Sequence, residues 1–256
     1  MLEIQSLTKR FGGLTAVHDV SISFEKGKIN AIIGPNGAGK TTFFNLISGA
    51  IRPTSGKILF DGHDVTGLRA DQVAQLGVSR TFQTTTLFDR ATVLDNLIVG
   101  HRLRTRSGLM DVILGSRRLK EEERLCREKA AEALDFVGLS HVTNRIAADI
   151  SQEERKRVAF AMALCTEPKL LLLDEPAGGV NPEETVGLAQ LIQKIVATGL
   201  TVCLIEHKMD MIMSLADKIM VLNYGEKIAE GNPAQIRSNP IVIEAYLGSE
   251  SAHAEA

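Results

Sequence analysis

Gly34-Pro35-Asn36-Gly37-Ala38-Gly39-Lys40-Thr41-Thr42 constrains this chain more than any other stretch, because it fits the phosphate-binding loop pattern G-x-x-x-x-G-K-[ST] at every fixed position. The apolar run Lys28 to Ile33 before it reads as a buried strand, and Thr41 to Ser48 after it reads as a helix stopped by Gly49. Strand, loop and helix in that order wrap backbone amides around an anion and aim the positive end of the helix dipole at it. Lys40 adds a point charge for the outer phosphates, and Thr41 offers a hydroxyl to Mg²⁺. The ligand implied by these residues is a nucleotide with its phosphate chain.

Composition narrows the classes of partner. A chain of 256 residues with 44% apolar content fills one large core or two small ones, and 29 basic against 31 acidic residues leave a net charge of −2. No overall positive field points to nucleic acid. The N-terminal residues Met1 to Gln5 lack a basic-then-apolar leader, and no apolar run approaches the roughly 20 residues needed to span a bilayer, so the expected location is cytosolic. Cys126, Cys165 and Cys203 are widely separated and show no metal-ligand spacing, which predicts reduced thiols.

The pattern of apolar runs predicts a layered α/β fold. Leu2 to Ile4, Val20 to Phe24 and Lys57 to Phe60 read as an N-terminal antiparallel sheet. Ala31 to Ile33, Leu170 to Leu173, Thr201 to Ile205 and Lys218 to Leu222 read as buried strands of a mainly parallel sheet, alternating with helical stretches. Residues 84–165 read as an inserted helical subdomain, and 249–256 as a loose tail.

A phosphate-binding loop serves kinases, GTPases and many ATPases, so the choice among them lies downstream. Leu170 to Leu173 form an apolar strand that ends in Asp174-Glu175-Pro176. Asp174 at the strand end can reach the magnesium shell, and Glu175 beside it can polarise an attacking water. The chain contains no Asn-Lys-x-Asp motif for reading guanine, which favours adenine.

With these motifs in this order, residues 1–248 resemble the ATP-binding subunits of ABC transporters. The resemblance implies the P-loop ABC ATPase fold, ATP and Mg²⁺ as ligands, and Gly34 to Thr42 as the nucleotide-binding loop. Phe11 takes the place of the aromatic residue that stacks on adenine, and Val17 that of the apolar contact after it. Gln83, in Arg80-Thr81-Phe82-Gln83, resembles the glutamine that contacts Mg²⁺ and water, and His207 the switch histidine at the γ-phosphate. Glu175, His207 and Gln83 are thus the implied catalytic residues, and Thr41, Gln83 and Asp174 the implied metal shell. Implied partners are a second ATPase subunit, identical or different, and transmembrane permease subunits, with a solute-binding protein reached indirectly. That assembly would place the chain peripherally on the cytoplasmic face of the membrane. Thr84 to Gly100, with Leu87, Phe88, Val93, Leu94, Leu97 and Ile98, is the expected docking groove for the permease, and the basic cluster Arg102 to Arg106 lies close to it.

One segment departs from the family. Its Leu-Ser-Gly-Gly-Gln signature, which faces the nucleotide held by the other subunit, falls on Ile150-Ser151-Gln152-Glu153-Glu154. Two side chains replace two glycines, and Glu153 brings a negative charge towards a phosphate. At 4 Å the repulsion is about 4 kcal/mol with an effective dielectric near 20, and about 1 kcal/mol in water. Unless these side chains turn away, the partner's site is impaired, and replacing both residues by glycine should raise activity. A weakly hydrolysing switch or regulatory subunit is the alternative function. Ser151 and Glu154 also fit a plain helix-capping pair. Asn181 stands where many relatives have aspartate. Together with Arg10 to Leu14, the long segment after Gln83 and Ile243 to Gly248, it resembles the Liv-type importers, which implies uptake of branched-chain amino acids.

Overall fold

The computed structural model describes residues 1–81, 87–101, 111 and 116–246. Gln83, Thr84 to Thr86, the basic cluster 102–106 and the tail 249–256 lie outside them. Two sheets organise the chain. The first is antiparallel, with strand order β2-β1-β4-β5, formed by β1 (Leu2–Phe11), β2 (Leu14–Phe24), β4 (Ser55–Phe60) and β5 (His63–Asp64). The second has the order β10-β9-β3-β8-β7-β6 and comprises β3 (Ile29–Ile33), β6 (Val78–Thr81), β7 (Leu170–Asp174), β8 (Thr201–Ile205), β9 (Lys218–Asn223) and β10 (Glu226–Gly231). Its members pair in parallel except β10, which runs antiparallel to β9. This mixed α/β architecture, with an antiparallel N-terminal sheet and a mainly parallel core sheet, is the one the apolar runs predict.

Those runs are unbroken because both faces of the core sheet are covered. Every residue of β3, β7 and β8 is buried. The strand period of two then divides each run between two cores. Leu171, Leu173, Val202, Leu204, Ile219 and Val221 enter the helical side, whereas Leu170, Leu172, Cys203, Ile205, Met220 and Leu222 enter the side shared with the antiparallel sheet and helix α1 (Lys40–Ile47).

On the helical side lie α3 (Val93–His101), α4 (Arg117–Phe136), α5 (Gln152–Cys165), α6 (Pro182–Ala197) and α7 (Met209–Leu215), while α2 (Ala70–Gln75) precedes β6 and α8 (Pro233–Arg237) follows β10. Val93, Leu97, Ala130, Leu134 and Val158 belong to the same apolar cluster as the sheet residues. Packing therefore consumes most of the apolar side chains expected to form a docking groove. Leu87, Val93 and Leu97 are buried, Leu94 and Ile98 pack against the core, and Phe88 is exposed.

Two strands of the core sheet are among the elements that escaped the sequence reading. Val78-Ser79-Arg80-Thr81 lacks an apolar run, yet pairs in parallel with Leu170 to Leu173 as the edge strand β6. The hairpin strand β10 is polar and half-exposed, and its partner β9 supplies the apolar surface.

Candidate functional site

Parallel register brings the carboxyl ends of three strands to one edge of the sheet. Ile32 of β3 and Asp174 of β7 both pair with Ile205 of β8, so the loops that begin at Gly34, Glu175 and Glu206 leave the sheet at nearly one level. In open α/β sheets this edge is where ligands bind. A cleft of about 480 Å³ opens there, lined by Leu14, Thr15 and Ala16, the loop residues Asn36 to Thr42, Glu175, His207, Tyr224 and Gly225.

The glycines of the loop have different tasks. A Cβ on Gly34 would lie 2.0 Å from the Leu222 carbonyl oxygen, and one on Gly39 would lie 2.3 Å from that of Ala16. These two let the loop pack against neighbouring strands, which the sequence pattern does not reveal. Gly37, at φ +79° and with nothing within 4 Å of a built Cβ, faces the cleft. Lys40 is buried at the start of α1, and its Nζ donates to the carbonyls of Gly34 at 2.7 Å and Pro35 at 2.9 Å. Burial pushes its pKa down, against the opposing pull of Glu175 and Asp174. Both carboxylates therefore lie within electrostatic reach of the ammonium.

Glu175 sits just past β7 with φ +49°, a left-handed conformation that a non-glycine residue adopts at a cost and that aims its side chain out of the strand line. Its amide donates to the Ile205 carbonyl at 2.9 Å, and its Oε1 lies 3.1 Å from His207 Nε2. Asp174 is buried and pairs with Arg80, Nη2 to Oδ2 at 2.7 Å. Arg80 also donates to Asn45 Oδ1 at 2.6 Å and Ser48 Oγ at 3.2 Å, joining β6, β7 and α1 beneath the cleft.

Sequence reasoning missed Arg80, and also Glu206. The buried Glu206 carboxylate accepts from Ala177 N at 2.6 Å and from His207 N at 2.8 Å, tying the loop after β7 to the loop that carries His207. Lys208 adds a second tie, through Val180 O at 3.0 Å and Thr185 Oγ1 at 2.7 Å. The only sequence signal for Glu206 is a charged residue directly after an apolar run. Tyr246 was missed as well. Burial pushes its phenol up to about 12, against the opposing effect of the Gly34 backbone of the phosphate-binding loop.

The other residues singled out in the sequence lie as follows. Phe11 ends β1, is exposed, stands outside the cleft lining, and carries Lys9 Nζ 4.9 Å from its ring centroid. Val17 is wholly buried in the core next to the antiparallel sheet. Ser151 caps α5, its Oγ accepting from Glu154 N at 3.1 Å while Glu154 Oε2 accepts from Ser151 N at 2.7 Å. Glu153 turns away from the helix end and pairs with Arg157 one turn on, while Gln152 is exposed. Asn181 caps α6 in the same reciprocal way with Glu184.

As a metal site, the cleft offers hard oxygen donors, the Thr41 hydroxyl on its wall and the Asp174 carboxylate below. Among the described residues no group of three His, Cys, Asp or Glu could hold a metal ion unaided. That donor set fits Mg²⁺, which takes one or two protein oxygens and completes its shell with substrate phosphates and water. Among the described residues no helix is long and apolar enough to cross a membrane.

Comparison with known proteins accords with this geometry. A family profile described as ABC transporter matches residues 17–178, and one described as branched-chain amino acid ATP-binding cassette transporter matches residues 226–252. The chain is 42% identical to the high-affinity branched-chain amino acid transport ATP-binding protein BraF of Pseudomonas aeruginosa, over 97% of this chain and 98% of that protein. It is 41% identical to LivG of Escherichia coli, described in the same terms, over the same shares. A nucleotide-free ATP-binding cassette from an ABC transporter superposes with a TM-score of 0.85 at 35% identity, covering 96% of this chain and 98% of that one. A cassette solved in its ADP conformation does so with a TM-score of 0.85 at 34% identity, covering 97% and 98%. With the phosphate loop, the carboxylate pair and the histidine gathered at one sheet edge, and with full-length relatives at this level of identity, the chain belongs to the ATP-binding cassette family of ABC transporters.

Proposed function

We propose that this protein is the ATP-hydrolysing subunit of an importer for branched-chain amino acids. It works at the cytoplasmic face of the cell membrane, against membrane permease subunits and a second cassette, with a solute-binding protein delivering the cargo. The relatives' role in branched-chain amino acid transport supports the cargo. The observation that carries the chemistry is the Glu175 Oε1–His207 Nε2 contact of 3.1 Å on the wall of a cleft that also holds Lys40 and Thr41.

In this reading the amides of Asn36 to Thr42 and the N-terminus of α1 bind the phosphate chain, and Lys40 swings from the loop carbonyls to the outer phosphates. Thr41, Asp174 and Gln83 would hold Mg²⁺, which when bound would supply positive charge to the γ-phosphoryl group. Glu175 accepts the proton of the attacking water, and His207 orients that carboxylate and touches the γ-phosphate. Glu206 and Lys208 keep His207 in register with the loop after Glu175. Phe11, outside the cleft lining, and Val17, buried in the core, are given no direct role at the phosphates in this reading. Ser151 to Glu154 address the nucleotide of the partner cassette, with Glu153 neutralised by Arg157. Phe88, exposed whereas Leu87, Val93 and Leu97 are buried, faces the permease.

The test is Glu175→Gln in the assembled complex. Mg·ATP binding is retained and steady-state hydrolysis falls by about 100-fold or more, the scale of a lost general base. Hydrolysis near the wild-type rate would refute the assignment of Glu175. Uptake of radiolabelled leucine by vesicles containing the complex, abolished by the same substitution, tests the cargo.

A further inference from the structure

The core sheet has a second cleft, of about 350 Å³, at the edge opposite the nucleotide site. Lys28 and Asn30 around the start of β3, Asp217 and Lys218 at the start of β9, and Glu25 just past β2 line it. Asn30 is the anomaly. β3 is otherwise Ile and Ala, yet an amide occupies its second position, 1% exposed, and among the described residues its Oδ1 has no hydrogen-bond partner. The carbonyl oxygens of Lys28 and Val202, each 3.4 Å from Nδ2, set the orientation, because turning the amide over would put oxygen against oxygen. A buried acceptor held without a donor costs stability, so its presence needs a functional account.

The charges around Asn30 are of both signs. Lys28 Nζ donates to Asp217 Oδ1 at 3.1 Å, and Asp217 Oδ2 accepts from Ile29 N at 2.8 Å, which fixes that carboxylate. Lys218 Nζ donates to Ser23 O at 3.0 Å and pairs with Glu230. An ammonium group has three donors, so these bonds use one on Lys28 and two on Lys218. Glu25, exposed and without an ion-pair partner among the described residues, adds a carboxylate to the wall. The cleft thus combines unfilled acceptors, Asn30 Oδ1 and Glu25, with spare ammonium donors.

We propose that this cleft binds a free α-amino acid, whose ammonium group donates to Asn30 Oδ1 and Glu25 while its carboxylate accepts from Lys28 and Lys218. A simple cation would meet two lysines, and a simple anion would leave both acceptors empty. An α-amino acid carries the two charges on neighbouring carbons and answers both demands. The volume lies at the lower end of the range for small-molecule sites, which suits a ligand of this size. The inference goes beyond the nucleotide chemistry and stands on the residues of this cleft alone.

Calorimetry on the full chain tests it with three probes: L-leucine, leucinol, which lacks the carboxylate, and 4-methylpentanoate, which lacks the ammonium group. Mg·ATP serves as the control at the other edge. L-Leucine binds saturably, and each analogue binds about tenfold more weakly or worse, because each loses charge-assisted contacts. Asn30→Leu, similar in shape, weakens leucine about tenfold or more, keeps or raises the thermal midpoint by removing the unpaired amide oxygen, and leaves Mg·ATP within about twofold of wild type. Glu25→Gln, at an exposed position, weakens leucine about threefold and carries the test should Asn30→Leu not fold. Absence of saturable leucine binding to the wild-type chain would mean that water alone fills the cleft and would overturn the proposal. Analogues binding as tightly as leucine, or leucine affinity unchanged in the variants, would overturn it as well.

Discussion

The pair beneath the cleft, Arg80 with Asp174, links stability to nucleotide, and Arg80→Met exposes the link. Arg80 is 7% exposed and Asp174 4%, and the guanidinium carbon lies 5.7 Å from the centroid of the Phe44 ring. Methionine keeps the unbranched stem packed on that ring and deletes only the charge and its donors. What remains is a buried carboxylate that has lost its cation, and Asn45 Oδ1 and Ser48 Oγ lose the same donor. Breaking a buried pair from one side costs about 3–5 kcal/mol. At about 2–4 °C per kcal/mol for a chain of this size, the thermal midpoint falls by roughly 6–20 °C. Mg·ADP at 100 times its dissociation constant adds about 2.7 kcal/mol to the wild type. In the variant, Mg²⁺ near Asp174 also restores the missing positive charge, so at equal free ligand the ligand-induced rise in midpoint exceeds the wild-type rise. Chelating the metal removes the excess. Thermal melts followed by near-ultraviolet circular dichroism, across a Mg·ADP series with and without chelator, give both quantities. A midpoint within about 2 °C of wild type, or equal ligand-induced rises, would refute the coupling.

Other consequences are independent of that one. Because Glu153 pairs with Arg157, its charge is partly compensated before a partner's phosphate arrives, and Glu153→Gln changes hydrolysis by the assembled complex by less than about threefold in a steady-state assay. Ser151→Ala removes the cap of α5 and lowers stability by about 1 kcal/mol in urea unfolding. The Glu154 half of that cap depends on pH. Hydrogen bonds from the Ser151 backbone, joined by its hydroxyl and His141, hold the Glu154 carboxyl below its ordinary 4.5, so its contribution is full at neutral pH and is lost as pH falls below that value. The stability difference between wild type and Glu154→Gln therefore shrinks between neutrality and strongly acidic pH. Burial pushes the Cys165 thiol up to about 12 and Cys203 well above its ordinary value, so iodoacetamide at pH 8 labels neither until the protein unfolds, as mass spectrometry reads directly.

Much of the fold was legible because its signals are local. A run such as Leu170 to Leu173, short and closed by Asp174-Glu175-Pro176, reads as a strand covered on both faces, and the phosphate loop carries its own strand and helix as flanks. The strand β6 was illegible because its place depends on Arg80 meeting Asp174, 94 positions along the chain. The docking groove was overread for a related reason: Leu87, Val93 and Leu97 show the same apolar character whether they face a partner or their own core, and packing put them in the core. Glu153 is the opposite case, a charge whose direction is set by an arginine four residues on, within reach of sequence inspection but decided by the rotamer.

By itself, the sequence determined the loop chemistry, the strands of the core sheet and the family, since each rests on residue types within one element or on motif order. Only the tertiary structure decided that Glu175 and His207 meet on the wall of the cleft that holds Lys40, that Glu206 and Lys208 lock their loops together, and that Tyr224 rather than Phe11 lines the wall. The physical reason is register. Parallel pairing of β3, β8 and β7 brings strand ends from distant parts of the chain to a common level, and that pairing is selected by burying both faces of the sheet at once, a condition no local stretch of sequence can state.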